Sequence, residues 1–221
     1  VSWAGTCVYE TDFLQFATGG AKRLSYAASF GKTNFDAATT RVYQQMLASY
    51  DKITVREDSA VQMLESWGAK NCYGQVLDPT LLLSADEWID LLVYEEMQIK
   101  YASQKYILVY QIHNDRQLSS YALRLAAHTG LKLLRVNPFM HQVHRGGKFV
   151  LCPDVTEFLS LIKNATYIVT DSFHGTCFSL TFEKQFIEVL PNNTTGTRNQ
   201  SILALTGLSN SCLLYTSDAA D

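Results

Sequence analysis

No stretch of this sequence approaches the roughly 18 consecutive apolar residues of a membrane-spanning helix, so no transmembrane segment is expected within it. There is no basic excess either. Eighteen Lys and Arg stand against 21 Asp and Glu, a net charge of −3, and nothing in that balance points to a nucleic-acid partner. The five cysteines, Cys7, Cys72, Cys152, Cys177 and Cys212, form no CxxC pair and no zinc-type spacing. A scattered, odd set reads as reduced thiols in a cytoplasmic protein, not as a disulfide framework. The sequons at Asn164 and Asn193 are then chance matches, since glycosylation needs a secreted context. No secretory leader is visible, although a chain that begins with Val1 rather than Met leaves room for one before it. Internal repeats and low-complexity segments are also missing.

What is present is an ordinary globular composition, 47% hydrophobic and 18% charged over 221 residues, enough for a sizeable core in one or two domains. Apolar β-branched runs alternate with helical periodicity. Strands are expected at 22–29, 52–55 and 72–77, with helices from Asp36, a candidate N-cap, to Tyr50 and from Ser59 to Gly68. The polar stretch 84–105, with Asp86, Glu87, Asp90, Glu95 and Glu96, reads as a helical connector and domain boundary. Beyond it, strands are expected at 106–110, 131–136, 167–170 and 186–190. Helices are expected at 116–128, 154–164, 174–182 and 198–205, and a loop at 137–148. Such alternation implies an α/β fold with parallel strands, in two Rossmann-like domains. Residues 1–100 would be the later part of a first domain truncated at its N-terminus, and 101–211 the second.

The tail Cys212–Asp221 has neither helical nor strand period. It resembles the translation of a transposase adapter used in sequencing libraries, whose bases TGTCTCTTATACACATCT read Cys-Leu-Leu-Tyr-Thr-Ser. Residues 212–221 are therefore expected to be an artefactual tail, and the chain a fragment that continues at both ends.

The segment TDSFHGTCFS, 170–179, is a strand running into a helix. In open parallel sheets ligands sit beyond the carboxyl ends of strands, and the unpaired N–H groups of a helix start favour anions. Gly175 would let backbone approach a ligand, while the hydroxyls of Ser172 and Thr176 could add hydrogen bonds. His174 could contact a phosphate or shuttle a proton. The alternative is that Asp171 or Ser172 caps the helix and His174 packs on its first turn.

Residues 167–187, YIVTDSFHGTCFSLTFEKQFI, resemble the C-terminal motif of the polysaccharide pyruvyl transferase family. ITVREDSAVQMLESWG (53–68), VLDPTLLL (76–83) and KRLSYAASFG (22–31) resemble other segments of that family, in its order, so that the likeness covers most of residues 20–207. The resemblance implies a glycosyltransferase-B-like fold and transfer of a pyruvyl group from phosphoenolpyruvate to saccharide hydroxyls as a ketal. Phosphoenolpyruvate would be the donor substrate; no metal and no redox cofactor is implied. Partners are the donor and a saccharide or glycan acceptor, with peripheral association with a membrane left open. His174 matches the family's catalytic histidine, and Arg56, at a strand's carboxyl end, one of its substrate-binding arginines; Arg56 could instead pair with Glu57 or Asp58. Arg198 would contact phosphate or be a solvated helix-start charge. Several branches of the family read Arg-Leu-His where this chain has Ser172-Phe173-His174, which leaves one anion contact to Arg198, the helix start or Lys184.

Other residues carry weaker signals. His113 follows the strand 106–110 and would line a substrate cleft. His141 and His144 sit in a loop without a carboxylate or Cys companion and read as solvated or acceptor-binding rather than as metal ligands. His128 suits a helix C-terminus; Cys177, Trp67 and Trp88 read as core. Two other functions compete. A nucleotide-sugar-dependent glycosyltransferase would need an acidic residue for a ribose, for which Glu188 is a candidate on a sheet edge or solvent face. A non-catalytic saccharide-binding protein would keep only the fold. The acceptor sugar and the oligomeric state are not legible.

Overall fold

A computed structural model describes residues 13–92, 100–114, 116–190 and 196–213. In chain order its elements are β1 (Leu24–Ala28), α1 (Ala37–Leu47), β2 (Lys52–Val55), α2 (Asp58–Ser66), β3 (Cys72–Gln75), α3 (Ala85–Leu92), β4 (Tyr106–Tyr110), α4 (Arg116–Thr129), β5 (Lys132–Asn137), β6 (Lys148–Leu151), α5 (Val155–Asn164), β7 (Tyr167–Thr170), α6 (Phe173–Thr181), β8 (Gln185–Val189), α7 (Thr197–Leu205) and β9 (Cys212–Leu213). Contacts divide the chain into two compact units, Val1–Pro79 with Asn193–Leu205, and Thr80–Asn192 with Thr206–Asp221. The sequence reading sets its boundary near residue 100 and assigns the last helix to the second domain. The contacts instead join α7 to the first unit, where Ser201 Oγ accepts from the Asp58 backbone N–H at 3.3 Å and from Gln75 Nε2 at 2.8 Å.

The first unit holds a three-stranded parallel sheet in the order β1-β2-β3. Asp36 caps α1 as its sequence position suggests, its carboxylate accepting from Thr39 N at 2.8 Å. Ile53 and Val55 of β2 pack with Phe30, Tyr43, Leu47 and Leu64 in one cluster, against which Trp67 lies half-buried. Gly68, at φ +75°, takes the left-handed conformation that ends α2.

The second unit is a six-stranded parallel sheet in the order β6-β5-β4-β7-β8-β9. Counted from β4 this is 3-2-1-4-5-6, the doubly wound order whose ligand crevice lies where the winding reverses, between β4 and β7. The central strands are apolar on both faces, as a parallel sheet covered by helices on each side requires. Ile107 and Val109 of β4 face Leu118 and Ala122 of α4, whereas Leu108 points the other way, toward Leu159 of α5 and Phe178 of α6. Asp154 caps α5, accepting from Glu157 N at 2.8 Å. Trp88 of α3 joins this core edge-on to Phe178, its indole N–H donating to the Thr80 carbonyl at 3.0 Å.

Two strands depart from the sequence reading. β6 replaces the end of the expected loop and continues past it. It is a four-residue edge strand that follows Gly146 and Gly147, too short and too exposed to show a period. Gly147, at φ +86°, passes so close to β5 that a Cβ would stand 2.6 Å from the Leu133 carbonyl oxygen. β9 falls on the first two residues of the adapter-like tail, pairing Cys212 and Leu213 with Glu188 and Val189. A sheet edge offers backbone donors and acceptors that an extended segment of any sequence can satisfy. Cys7, Glu95, Glu96, the Asn193 sequon and the tail from 214 onward lie outside the described residues. Among the described residues, no helix is long and apolar enough to cross a membrane.

Candidate functional site

The sheet order of the second unit puts the carboxyl ends of β4 and β7 side by side, with Tyr110 in register with Thr170. The segments that leave those two ends are Gln111-Ile112-His113 and Asp171-Ser172-Phe173-His174. They are tied together by one carboxylate. Asp171, 3% exposed, accepts from Ile112 N at 2.6 Å and from His113 N at 2.9 Å, and lies 3.2 Å from His113 Nδ1. An ionised carboxylate can only accept, so the Nδ1 of His113 carries the proton in this contact.

Ser172, not Asp171, is the N-cap of α6; its hydroxyl accepts from Gly175 N at 3.3 Å. Tyr110 hydrogen-bonds the Ser172 side chain, and burial pushes its phenol pKa up. His174, on the first turn, is exposed, while Asp171 to Phe173 and Gly175 to Ser179 around it are buried. The histidine therefore faces outward from the helix start and is not a core side chain. The glycine beside it answers to packing. A Cβ on Gly175 would run into Thr170 Oγ1 and come within 3.1 Å of Thr170 Cβ and Tyr110 Cδ1, so α6 can lie against the sheet only without one. Thr176 is fully buried, and its hydroxyl donates to the carboxylate of Glu188, itself 0% exposed on β8. Glu188 is thus an interior group, neither at an edge nor toward solvent as the sequence reading has it. Cys177 is buried, as expected.

A polar network that the sequence reading did not anticipate lies under this edge. The Gln111 carbonyl accepts from Asn137 Nδ2 and, at 3.1 Å, from Gln142 Nε2. Its side-chain oxygen accepts from Ser119 Oγ at 3.0 Å and from Arg135 at 3.3 Å. Arg135 is 0% exposed, and its other contacts are the carbonyls of Arg145 and Gly146 and the Ser119 hydroxyl. Burial, with Arg145 nearby, lowers its pKa to about 10. An arginine in the middle of an apolar strand, flanked by Leu134 and Val136, was the available signal. His144 is exposed on the loop before β6, and the side chain of His141 lies outside the described residues. His128 occupies the last turn of α4.

The first unit has its own carboxyl edge. Arg56, one residue past β2, forms a buried ion pair with Asp78 at 2.6 Å, and its Nε donates to the Ala27 carbonyl at 2.8 Å. Asp78 is a partner that the sequence reading, which offered Glu57 or Asp58, did not name. Glu57 instead turns inward, 1% exposed, with one oxygen accepting from Ser29 Oγ, Phe30 N and Gly31 N at 2.8, 2.9 and 3.2 Å. Burial raises its pKa, against the lowering effect of the Ser29 hydrogen bond, the two backbone donors and the charge of Arg198. Arg198, on the first turn of α7, is therefore half-buried within reach of the Glu57 field and is not a solvated charge. The sequence-derived candidates thus fall into two groups. His113, Ser172, His174, Gly175 and Thr176 sit at the switch point of the second unit, and Arg56 and Arg198 at the edge of the first.

The profile of a family described as polysaccharide pyruvyl transferase matches residues 8–194. No curated protein matches the chain. Among solved structures, a Methanocaldococcus jannaschii UDP-GlcNAc 2-epimerase in complex with UDP-GlcNAc and UDP is 16% identical, with a TM-score of 0.48, over 73% of this chain and 55% of that one. A UDP-N-acetylglucosamine 2-epimerase from Rickettsia bellii is 14% identical, with a TM-score of 0.41, over 78% of this chain and 56% of that one. The chain thus spans a little over half the length of these two proteins.

Proposed function

The chain belongs to the polysaccharide pyruvyl transferase family, and from that premise we propose that it transfers a pyruvyl group from phosphoenolpyruvate to saccharide hydroxyls, forming a ketal and releasing phosphate. The observation that carries this reading is the exposed His174 on the first turn of α6, at the switch point of a doubly wound sheet. Phosphoenolpyruvate presents a carboxylate and a phosphate close together. The N–H groups at the start of α6 and the dipole behind them suit one of these anions. Its enol carbon must be protonated to give an oxocarbenium-like centre for the sugar hydroxyl to attack, and His174 is the acid/base group for that chemistry. Ser172 holds the helix start in shape, and His113 lines the same edge. Gly175 and Thr176 serve by letting α6 seat on the sheet and by tying it to β8. The glycosyltransferase-B architecture, and a donor-binding role for the cationic residues Arg56 and Arg198, are part of the same proposal. So is a cytoplasmic setting in glycan biosynthesis. The chemistry asks for no redox cofactor.

Calorimetric titration of the full-length protein with phosphoenolpyruvate, and separately with nucleotide sugars, tests the reading. Phosphoenolpyruvate is expected to bind, and His174→Ala to keep binding while losing phosphate release in the presence of acceptor glycans. Binding of nucleotide sugar with phosphoenolpyruvate ignored overturns the proposal in favour of a glycosyltransferase.

A further inference from the structure

We propose that His113, held by Asp171, is a second catalytic group at the switch point, working as the base to the acid of His174. The inference rests on the pyruvyl-transfer reading and adds to it a residue pair that the likeness to the family does not assign.

The geometry begins with Asp171. It is buried, yet it serves three donors from the segment leaving β4: the backbone N–H groups of Ile112 and His113 and the Nδ1 of the His113 ring. A carboxylate needed only to fasten that segment would be satisfied by the two amides. The third contact fixes the ring's rotation and, in the neutral imidazole, sets the proton on Nδ1 and the lone pair on Nε2. The His113 side chain is 37% exposed while its Asp171 partner is 2% exposed, an arrangement with a dry anchor and an accessible ring. The network beneath prevents the segment from drifting. The Gln111 carbonyl takes donors from Asn137 and Gln142, and its side chain takes donors from Ser119 and Arg135. His174 stands on the neighbouring strand's exit, exposed at the same edge.

Ketal formation needs two proton donors and two proton acceptors in turn, and two imidazoles in opposite starting states close that cycle. In the first step a saccharide hydroxyl oxygen bonds to C2 of phosphoenolpyruvate, and the C2–C3 π pair takes a proton from the His174 imidazolium, making a methyl group. The hydroxyl proton passes to Nε2 of His113. In the second step another hydroxyl of the acceptor bonds to C2 and gives its proton to the now neutral His174. The C2–O bond to phosphate breaks, the leaving oxygen keeps the electron pair, and the His113 imidazolium protonates it. Both rings end as they began. The acceptor has lost two protons, one replaced on C3 and one delivered to phosphate, and no oxidant or reductant is needed. Asp171 is a positioning residue here, because it touches the ring and not the substrate.

The test is carbethoxylation of the full-length protein by diethylpyrocarbonate, mapped histidine by histidine by mass spectrometry, with and without saturating phosphoenolpyruvate. His113 and His174 are both expected to react in the free protein and both to be slowed severalfold by phosphoenolpyruvate, while His128 and His144 are unchanged. Protection of His174 alone leaves the pyruvyl-transfer reading standing and overturns this inference. Protection of neither overturns the phosphoenolpyruvate reading itself. A His113 that resists the reagent without ligand also overturns the inference, since its Nε2 would then be unable to reach a substrate. Tautomers read by nitrogen-15 NMR of histidine-labelled wild-type protein, with His113→Gln for assignment, give an independent check. Nδ1 of His113 should carry the proton; an Nε2–H tautomer refutes the role of Asp171.

Discussion

Gly175→Ala is the substitution whose outcome the packing of the site determines most directly. In an unconstrained helix interior the change would be favourable by about 1 kcal/mol, because alanine is the better helix former. Here the added Cβ meets Thr170 Oγ1 and lies 3.1 Å from both Thr170 Cβ and Tyr110 Cδ1. Thr170 cannot turn away cheaply. Its hydroxyl donates to the Tyr110 carbonyl at 2.7 Å and accepts from Ser172 N at 3.0 Å, so rotation sacrifices two buried hydrogen bonds that are worth about 1 kcal/mol each. Overpacking of a tight core costs about 1–3 kcal/mol on its own. Taking about 2 for the overpacking and about 1 for one weakened bond, less about 1 for propensity, gives a net loss near 2 kcal/mol. For a chain of this length that is a fall of about 4–8 °C in Tm, measurable by circular dichroism melting. A cycle with Thr170 separates clash from generic helix effects. In a Thr170→Ala background the oxygen is gone and Gly175→Ala should cost markedly less. In Thr170→Val, where a methyl replaces the hydroxyl, the cost should persist. A Gly175→Ala protein as stable as the parent, or an identical cost in both backgrounds, refutes the close seating of α6 on the sheet.

Removing the Arg56 side chain should destabilise the first unit by about 3–5 kcal/mol, because Asp78 is left as a buried charge without its counter-ion. Urea denaturation of Arg56→Ala would show this as a large drop in midpoint, and an unchanged midpoint would mean that the pair is not buried. Ser172→Ala should cost about 1 kcal/mol through loss of the α6 cap, and Asp154→Ala a similar amount at α5, both read as shifts in midpoint. Glu57 has a folded-state pKa raised by burial, so its contribution to stability is fully present below the unfolded value of about 4.3 and is lost as pH rises through the folded value. Glu57→Gln should therefore gain on the parent in denaturation midpoint as pH rises above about 4; a difference that stays flat as pH rises would mean that the carboxyl is not desolvated.

Most of the architecture was legible because its signals are local. Asp36 and Asp154 each precede a helical period and each caps its helix through the N–H three residues on. The run Tyr106–Tyr110 is apolar on both faces and becomes the central strand of the second sheet. What failed lacks a local signal. β6 is four residues long and half exposed, and β9 spans only two residues, so neither is long enough to carry a side-chain period. The place of α7 depends on Ser201 meeting Asp58 and Gln75, partners more than a hundred positions earlier in the chain. No window of sequence contains that contact.

The site was legible to a similar depth and for the same reason. A strand ending in Asp-Ser with His and Gly behind it marks a helix start, and the structure puts the histidine outward, the serine in the cap and the glycine against the sheet. Sequence could also place His113 at a strand's carboxyl end. It could not set the strands that carry the two histidines side by side, since that follows from the order of strands: β5 and β6 wind to one side of β4, and β7 and β8 to the other. Once β4 and β7 are neighbours, their exits must be reconciled, and exposed N–H groups at a buried edge need acceptors. Asp171 meets that need for Ile112 and His113 by reaching across from the adjacent strand. The same carboxylate then has an oxygen within reach of the imidazole. The neighbouring strand exits that call for a buried acceptor at this point therefore also orient His113.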